Sequence, residues 1–534
     1  MLPRQTKGTT LLKDAITTGG ALSRRAFVQT VGAGGLLLAA PDLWLQADSA
    51  GASQPEQIHL QFGADASREV TVSWATDASV RRPRVHLGLL NGGSGRTVQA
   101  ETRTYTDAKS GVEVLTHHAV LGNLDPATAY SYQVMHDGSG LQYGSFSTAP
   151  SGRGAYRFTS FGDQATPQTG NALASVWASY TPAQVEAMRP LFHLLNGDLC
   201  YANVSPDRPK TWRDFFVTNE VSARYRPWMP AAGNHENEVG NGQFGFRAYQ
   251  TRFSLPDHGE TNPNFRGLWY TFKVGAMRVI SLNNDDVCIQ DGGDVYVRGY
   301  SQGAQKQWLE RTLRQARDDV DTDWIVVCMH QVSMSSARKF NGADLGIRQE
   351  WLPLFDKYGV DLVVTGHEHH YERSLAVRGV DAGSPTLRPK VTDPRTDLVD
   401  TTKGAVHMII GGGGTSVPSN QLLLEPPQCD VITDLEAQPP IPSGAPRPHR
   451  NSIKVVEDAT WVGSRDKAHA YGFASFDVDP GTPGGKTRIN VKVWDAAPSP
   501  TGTPTLFEEF TLERPRRDGE STRSGAQPDS ASPA

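Results

Sequence analysis

The chain has few cysteines and no excess of basic residues. Of its 534 residues only four are cysteine, at positions 200, 288, 328 and 429, and none belongs to a C-x-x-C zinc pattern. A dense disulfide framework is therefore excluded, while a Cys288–Cys429 bridge and reduced, buried thiols both remain open. With 52 basic against 57 acidic residues, the chain also lacks the positive charge that nucleic-acid binding requires. We expect no nucleic acid as a dedicated partner.

The N-terminal region contains an apolar run that is too short to cross a membrane. This run, from Val31 to Ala40, follows the pair Arg24-Arg25 and falls well short of the ~20 residues that a bilayer requires. Twin arginines before such a run are typical of a Tat export signal, and Ala50 and Ala52 offer a cleavage site. Residues 1–52 are therefore predicted to be a Tat-type signal, with a chance arginine pair before a membrane anchor as the alternative. The mature protein would have no stable membrane span and would be periplasmic, cell-surface or secreted.

Residues 53–150 show the alternation of short strands. Val70, Val72 and Trp74 occupy every second position, and Gly, Asp, Asn and Pro separate the apolar segments. A segment of this length predicts a small β-sandwich, and residues 124–132 resemble a strand start of fibronectin type III modules. We interpret the domain as a spacer or lid, and His117 and His118 as ordinary strand residues. The predicted strands are 58–62, 70–74, 85–89, 118–121 and 130–134.

Residues 151–512 change to apolar runs that alternate with helical patterns, which predicts α/β layers. Helical stripes at 304–316 and 351–358 place apolar side chains on one face. The proline-rich stretch 418–448 is predicted to be an irregular insertion without helix or central strand, and residues 513–534 a disordered tail. The predicted core strands are 157–161, 191–195, 279–282, 324–329, 362–364 and 406–410.

Five polar clusters in this second region follow apolar runs. Ligand sites of open α/β sheets lie at the carboxyl ends of the strands, so position alone nominates these clusters. A single Gly-Asp or H-x-H pair is weak evidence for a ligand site, because such pairs are common in turns. Five clusters in one domain are hard to explain as independent turns. In chain order they are Gly162-Asp163, Gly197-Asp198 with Tyr201, Gly233-Asn234-His235-Glu236, the strand-ending His330, and Gly366-His367 with His369.

In this order, the five blocks resemble those of the metallophosphoesterase family, and specifically its purple acid phosphatase branch. Tyr201, three positions after Asp198, and the run Glu-His-His-Tyr-Glu-Arg at 368–373 indicate this branch. A sandwich in front of the catalytic domain is similar to that of plant-type members. The resemblance covers approximately residues 55–510. It implies a fibronectin III-like β-sandwich followed by an α/β metallophosphoesterase domain with four αββα layers.

The resemblance also implies a pair of metal ions. A shared carboxylate offsets the repulsion between two cations about 3.5–4 Å apart. A phenol is a poor ligand for weakly polarising ions, so a tyrosine ligand predicts Fe(III), whereas the second site suits Zn, Mn or Fe(II). The implied ligands are Asp163, Tyr201 and His369 for the iron, Asn234, His330 and His367 for the second ion, and Asp198 as the bridge.

The implied activity is that of an exported dimetal phosphatase, which hydrolyses phosphate monoesters of small substrates by attack of metal-activated hydroxide. His235 is assigned to no metal, so we interpret it as the catalytic residue that contacts phosphate and protonates the leaving oxygen. A hydrogen-bonding role behind a ligand is the alternative for His235. A phosphodiesterase or nucleotidase with the same metals, and a non-catalytic surface- or phosphate-binding protein, are the alternative functions. The oligomeric state stays open.

The chain departs from the pattern of familiar purple acid phosphatases at two places. Residues 331–345 contain no histidine, although these phosphatases have one shortly after the strand-ending histidine; Arg338 and Lys339 are present instead. Ala165 stands where the family usually has glycine. We interpret His370 as structural and Cys200 as a buried thiol.

Overall fold

The computed structural model describes residues 53–518 except 93, 169–171, 241, 290–297, 339–341 and 442–449. The predicted signal segment and residues 519–534 of the predicted tail lie outside the described residues, so both stay predictions. Within the described part of the chain, no helix is long and apolar enough to span a bilayer.

Eight strands form the N-terminal domain: β1 (Glu56–Phe62), β2 (Val70–Thr76), β3 (Arg84–Leu89), β4 (Arg96–Gln99), β5 (Glu101–Thr106), β6 (Glu113–Leu121), β7 (Ala129–Met135) and β8 (Gln142–Ser147). They make two four-stranded sheets, ordered β1-β2-β6-β5 and β4-β3-β7-β8. The predicted β-sandwich is confirmed, and all five predicted strands are present. The sequence did not reveal β4, β5 and β8. The first two are mostly exposed and polar, and β8 is mostly half-buried.

The strands of the second domain are β9 (Tyr156–Phe161), β10 (Phe192–Leu195), β11 (Trp228–Pro230), β12 (Tyr270–Val274), β13 (Met277–Ser281), β14 (Trp324–Cys328), β15 (Ala343–Asp344), β16 (Leu362–Thr365), β17 (Tyr371–Ser374), β18 (Ala376–Val380), β19 (Pro389–Asp393), β20 (Leu398–Asp400), β21 (Val406–Ile410), β22 (Gln428–Leu435), β23 (Ser452–Asp458), β24 (Val462–Arg465), β25 (Gly472–Asp479), β26 (Lys486–Asp495) and β27 (Thr505–Pro515). Two seven-stranded sheets dominate, ordered β11-β10-β9-β25-β26-β27-β20 and β12-β13-β14-β16-β21-β17-β24. They are the inner layers of the αββα fold, as predicted.

The helices of this domain are α1 (Trp177–Ala187), α2 (Arg208–Ala223), α3 (Arg247–Arg252), α4 (Ala304–Asp318), α5 (Leu345–Glu350) and α6 (Leu352–Tyr358). Short 3₁₀ turns cover Ala202–Val204, Asn234–Glu236, Asn284–Asp286 and Asn420–Leu422. The predicted stripe of α4 is confirmed, since Trp308, Leu309 and Leu313 are buried.

Parallel neighbouring strands in each large sheet determine where a site can form. In one sheet β9, β10 and β11 are parallel neighbours, and in the other β13, β14, β16 and β21 are. Strands β10, β14 and β16 are buried along their whole length, as expected for parallel strands covered on both faces. The carboxyl ends of parallel neighbours lie at one edge, where loops can bring polar side chains together.

Two features of this domain differ from the prediction, one strand within the proline-rich stretch and the end of the last strand. The stretch 418–448 contains a regular strand, β22, which lies between β15 and β23 in a three-stranded sheet and is therefore central. The prolines flank it at Pro426, Pro427 and Pro439, so the strand keeps all its N–H donors. The last strand, β27, continues to Pro515, beyond the boundary predicted at 512.

The β-sandwich is docked on the catalytic domain through an apolar interface. Ile58, Leu60 and Phe62 of β1 are fully buried and belong to the same hydrophobic cluster as the catalytic core. The ring of Phe62 lies 6.0 Å from that of Phe192. Backbone polar groups pair across the interface too, since the Ile58 N–H donates to Glu220 Oε1 at 3.0 Å. The two domains therefore share one continuous hydrophobic core.

Candidate metal centre

The predicted ligands follow the carboxyl ends of strands in both large sheets. Asp163 follows β9, Asp198 follows β10 and Asn234 follows β11, all in the first sheet. His330 follows β14 and His367 follows β16 in the second sheet. The facing edges of the two sheets thus supply the site from opposite sides, which explains why the ligands are so far apart in the sequence.

The backbone at several site residues adopts the left-handed region. The φ angle is 60° at Asp163, 50° at Asp198, 57° at Tyr201 and 72° at His367. Such conformations cost non-glycine residues about 1–3 kcal/mol each and concentrate at functional sites. Ala165 has φ 65°, so the glycine that familiar family members have there would adopt this turn without strain.

Two glycines allow the loops of the site to approach closely. A Cβ on Gly233 would lie 2.3 Å from Asp198 Oδ1, and a Cβ on Gly366 would lie 2.3 Å from Asp163 Oδ2. Any side chain at these positions would therefore displace a carboxylate of the site. The glycine before Asn234 and the glycine before His367 are required by this packing.

Asp163, Tyr201 and His369 come together as the first predicted ligand group. The Tyr201 hydroxyl lies 3.3 Å from Asp163 Oδ1 and 3.1 Å from His369 Nε2. His369 Nε2 is also 3.3 Å from Asp163 Oδ1. The other ring nitrogen, Nδ1, is 2.9 Å from the carbonyl oxygen of Val417 and donates its hydrogen there. His369 Nε2 consequently presents a lone pair toward Asp163 and Tyr201.

Asn234, His330 and His367 form the second group, together with Asp198. His330 Nδ1 donates to the carbonyl oxygen of Asn196 at 2.7 Å, which leaves a lone pair on Nε2. This Nε2 lies 3.1 Å from Asp198 Oδ2, 3.1 Å from Asn234 Oδ1 and 3.2 Å from His367 Nδ1. Asp198 thus contacts the second group through His330, and its assignment as the bridge between two ions stays a prediction.

The chemistry of the two groups fits metal ions. Several buried oxygen and nitrogen acceptors face one another at about hydrogen-bond distance, and such lone pairs repel unless positive charge lies among them. In the protein alone a proton must take this role. Although burial opposes it, the charges of Asp198 and Asp163 raise the pKa of His330 to about 9. A cation held by carboxylate, imidazole and amide donors would replace that proton.

The phenol of Tyr201 needs a strong cation before it can bind as a phenolate. Burial, followed by the negative charges of Asp163 and Asp198, raises the pKa of Tyr201 well above its usual value. A weakly polarising ion would therefore leave the phenol protonated, whereas Fe(III) can displace the proton. The first group fits a trivalent ion better than a divalent one.

His235 lies beside the ligands and is more accessible than they are. Its side chain is 24% exposed, whereas that of His330 is 0% and that of His369 is 6%. The His235 N–H donates to Asp198 Oδ1 at 2.9 Å, and Nδ1 donates to Asn203 Oδ1 at 2.8 Å. Its Nε2 lies 3.9 Å from Asp198 Oδ2. The bond at Nδ1 therefore orients the His235 ring, and Nε2 lies at the edge of the metal centre.

Sequence reasoning did not assign a role to Glu236, which joins two loops of the site. This residue is fully buried, and its Oε2 accepts the N–H groups of Asp198 and Gly233, each at 2.8 Å. Its Oε1 accepts the N–H of Leu199 at 2.8 Å. Asp198 Oδ1 accepts the His235 N–H in return, so each of the two loops accepts hydrogen bonds from the other. The sequence carried only part of a signal, since Glu236 accepts the Gly233 N–H as in one half of a capping box, but glycine has no side chain to form the other half.

The remaining predicted residues lie outside the ligand groups. Cys288 and Cys429 are free and buried, so of the two open alternatives the structure shows reduced thiols, and Cys200 is a buried thiol as predicted. His117 and His118 are strand residues of β6, which confirms that prediction. His370 Nδ1 contacts Ser419 Oγ at 2.9 Å and serves the scaffold, as expected. Arg338 is exposed, and Lys339 lies outside the described residues.

Comparison with known proteins defines the class. Residues 55–150 match the family model of the purple acid phosphatase N-terminal domain, and residues 171–371 match the model of calcineurin-like phosphoesterases. The second match contains Asp198, Asn234, His330, His367 and His369. Together with the geometry of the two ligand groups, these matches identify a metal-dependent phosphoric ester hydrolase.

Individual relatives narrow the assignment further. The chain is 52% identical to an uncharacterized protein of Mycobacterium tuberculosis, across 94% of this chain and 98% of the relative. It is 27% identical to Fe(3+)-Zn(2+) purple acid phosphatase 12 of Arabidopsis thaliana, across 68% of this chain and 73% of that protein. The structure of purple acid phosphatase PPD1 from yellow lupin (Lupinus luteus) shares the fold, with a TM-score of 0.64, 20% identity, and coverage of 87% and 75% of the two chains. The chain belongs to the purple acid phosphatase branch of the metallophosphoesterase family.

Proposed function

We propose that the protein is an exported phosphatase that hydrolyses phosphate monoesters of small molecules, with Fe(III) in the tyrosine-containing site and Zn, Mn or Fe(II) in the other. The single observation that carries this proposal is the convergence of two donor groups, Asp163 with Tyr201 and His369, and Asn234 with His330 and His367. Export is proposed from the arginine pair at 24–25 and the apolar run after it.

The donor atoms support the proposed metals. Tyr201 supplies a phenol whose proton only a strongly polarising ion displaces, and a relative named for an Fe(3+)-Zn(2+) pair shares the family. Imidazole and amide donors at the second group accept several borderline divalent ions, so Zn, Mn and Fe(II) all remain in the proposal.

The residues around the metals have separate tasks in the proposed reaction. When bound, the two ions supply an activated water and compensate the negative charge of the phosphoryl group. Asn203 holds Nδ1–H of His235, so the opposite nitrogen is directed toward the open side of the centre. When both ring nitrogens are protonated, His235 can then donate the Nε2 proton to the leaving oxygen and keep its Nδ1–H bond to Asn203. Glu236 keeps the loop of His235 at a fixed distance from the loop of Asp198.

A comparison of ester classes tests the proposed function. The metal-loaded protein is expected to hydrolyse p-nitrophenyl phosphate with kcat/KM at least about tenfold above that for bis(p-nitrophenyl) phosphate, because a monoester presents more terminal oxygens to the two ions. Initial rates with both esters and with nucleotides provide the measurement. Turnover of the diester alone would replace the monoesterase by the phosphodiesterase alternative. Binding of phosphate without hydrolysis of any ester would favour the non-catalytic alternative.

Substitution of Tyr201 by Phe tests the iron site. The metal-loaded protein is expected to contain about one iron per chain and to absorb visible light through charge transfer from phenolate to iron. Tyr201→Phe should abolish this band, because the phenolate is lost. Metal analysis and the visible spectrum are the measurements, and Tyr249→Phe, which removes a buried hydroxyl that donates to the Pro230 carbonyl, is the control. A band that survives in Tyr201→Phe would contradict the ligand assignment.

A further inference from the structure

One turn of the β-sandwich reaches the loops of the catalytic site. The β5–β6 turn, residues 107–112, carries Lys109, whose Nζ donates to the carbonyl oxygen of Ser205 at 2.7 Å. Ser205 closes the short 3₁₀ turn that directly follows Tyr201 and contains Asn203. The ammonium group of Lys109 thus fixes the end of the loop that supplies both the phenol and the partner of His235.

The turn itself is ordered by internal hydrogen bonds. Asp107 is fully buried, and its Oδ2 accepts the Ser110 N–H at 2.7 Å and the Ser110 hydroxyl at 2.6 Å. The Gly111 N–H donates to the Asp107 carbonyl at 2.8 Å, and Gly111 has φ 72°, which suits glycine. The backbone of Lys109 is therefore fixed before its side chain crosses to the catalytic domain.

The same turn is linked to the second loop of the site through Arg208. Oδ1 of Asp107 is buried without a hydrogen-bond partner among the described residues, and it lies 3.8 Å from Arg208 Nη1. Arg208 Nη2 donates to the carbonyl oxygen of Glu238 at 2.8 Å. Glu238 follows His235 and Glu236 in the loop that carries Asn234. One turn of the sandwich thus holds both loops that meet at His235.

Further hydrogen bonds hold the sandwich against the catalytic domain. Besides the apolar contacts of β1, the Tyr132 hydroxyl donates to the carbonyl of Arg224 at 2.7 Å. The N–H of Arg103 Nη1 donates to the carbonyl of Phe253 at 3.1 Å. These contacts lie on strands β5 and β7, so the turn between β5 and β6 starts from a docked strand.

We infer that the 107–112 turn is a positioning element of the active site, with Lys109 and Asp107 as its positioning residues. Through Ser205 and Arg208 it sets the distance between the loop of Asn203 and the loop of His235, and so directs His235 toward the leaving oxygen. This assigns the β-sandwich a part in catalysis, in place of the spacer that the sequence suggested. The inference rests on the proposed monoesterase reaction and on the role of His235 in it.

Lys109→Met tests the inference, since methionine keeps the length of the side chain but donates no hydrogen bond. A displaced proton donor matters most for a poor leaving group, such as the alkoxide of an alkyl phosphate. We expect kcat for an alkyl phosphate to fall about five- to tenfold, and kcat for p-nitrophenyl phosphate to fall less than about twofold. KM and the unfolding temperature should stay unchanged. Lys109→Arg, which can still donate to Ser205, should restore kcat.

The matched control is Lys210→Met on α2, because the Lys210 side chain pairs with Asp214 on the same helix. Equal kcat values for wild type and Lys109→Met with both esters would overturn the inference. So would an equal fall with both esters together with a lower unfolding temperature, which is the signature of a structural role alone. Failure of the proposed function differs, because the wild type would then hydrolyse no monoester. The Lys109 variants would in that case be compared on bis(p-nitrophenyl) phosphate, where equal turnover overturns the inference.

Discussion

Asp198→Ala is expected to reduce kcat/KM for p-nitrophenyl phosphate by a factor on the order of 10⁴, about 5.5 kcal/mol of transition-state stabilisation. The Asp198 carboxylate lies 3.1 Å from His330 Nε2 and accepts the His235 N–H at 2.9 Å. Burial disfavours the charged carboxylate, but the charge of His330 outweighs this effect and keeps the pKa of Asp198 well below its usual range. The carboxylate is therefore ionised. In its predicted bridging role Asp198 supplies negative charge to two cations, so alanine should cause loss of the second metal.

Metal content separates this explanation from a general loss of structure. The variant is expected to bind at most about one ion per chain, whereas the wild type should bind two. Asp318→Ala, at the exposed end of α4, is the control and should keep both ions and full activity. Circular dichroism should show the same secondary structure for all three proteins. An Asp198→Ala protein that retains two ions and hydrolyses the ester at the wild-type rate would refute the bridging assignment.

The strand ends were predictable from the sequence because they obey local rules. Apolar runs such as those that became β14 and β16 end where a Gly or a polar residue begins, and Asp163, Asp198 and His330 follow such ends. Parallel neighbours then bring these residues to one edge, whatever the loops between them do. The metal ligands were therefore nominated by position and type, without knowledge of any distance.

The contacts between loops could not be predicted in the same way. Glu236 accepts N–H groups of Asp198 and Leu199, and this depends on the left-handed turn at Asp198, a conformation that aspartate tolerates but that its presence alone does not predict. The bond of Asn203 to His235 and that of Lys109 to Ser205 join segments that only the folded chain brings together. Such contacts arise from tertiary packing, and the helical and strand periodicities of the sequence report only local structure, so they do not reveal these contacts.

The proline-rich stretch shows a different limit of sequence reasoning. A high proline content predicts irregular structure, yet Gln428–Leu435 is free of proline and forms the central strand of a small sheet. Its apolar residues Val431 and Ile432 are buried. The composition of the 31 residues 418–448, taken as a whole, concealed an eight-residue segment with the apolar pattern of an ordinary strand.

His235→Asn is expected to lower kcat for an alkyl phosphate about 10²- to 10⁴-fold and to leave both metals in place. His235 contacts Asp198 through its backbone N–H, which asparagine keeps, so the ligand loop should not move. The shorter amide cannot deliver a proton from the position of Nε2. Metal analysis, kcat and KM are the measurements. His86→Asn, a partly exposed histidine of β3, is the control.

The dependence on the leaving group decides which task His235 performs. An alkoxide leaves poorly without a proton, whereas p-nitrophenolate leaves well as an anion, so loss of a proton donor should affect the alkyl ester far more. If His235 only binds phosphate, the substitution should instead raise KM for both esters by the same factor and leave the ratio of their kcat values unchanged. Residues 331–345 contain no second histidine that could take over the proton transfer. The substitution should therefore show its full effect on the ratio of the two kcat values. Equal losses for both esters would assign the proton to another donor.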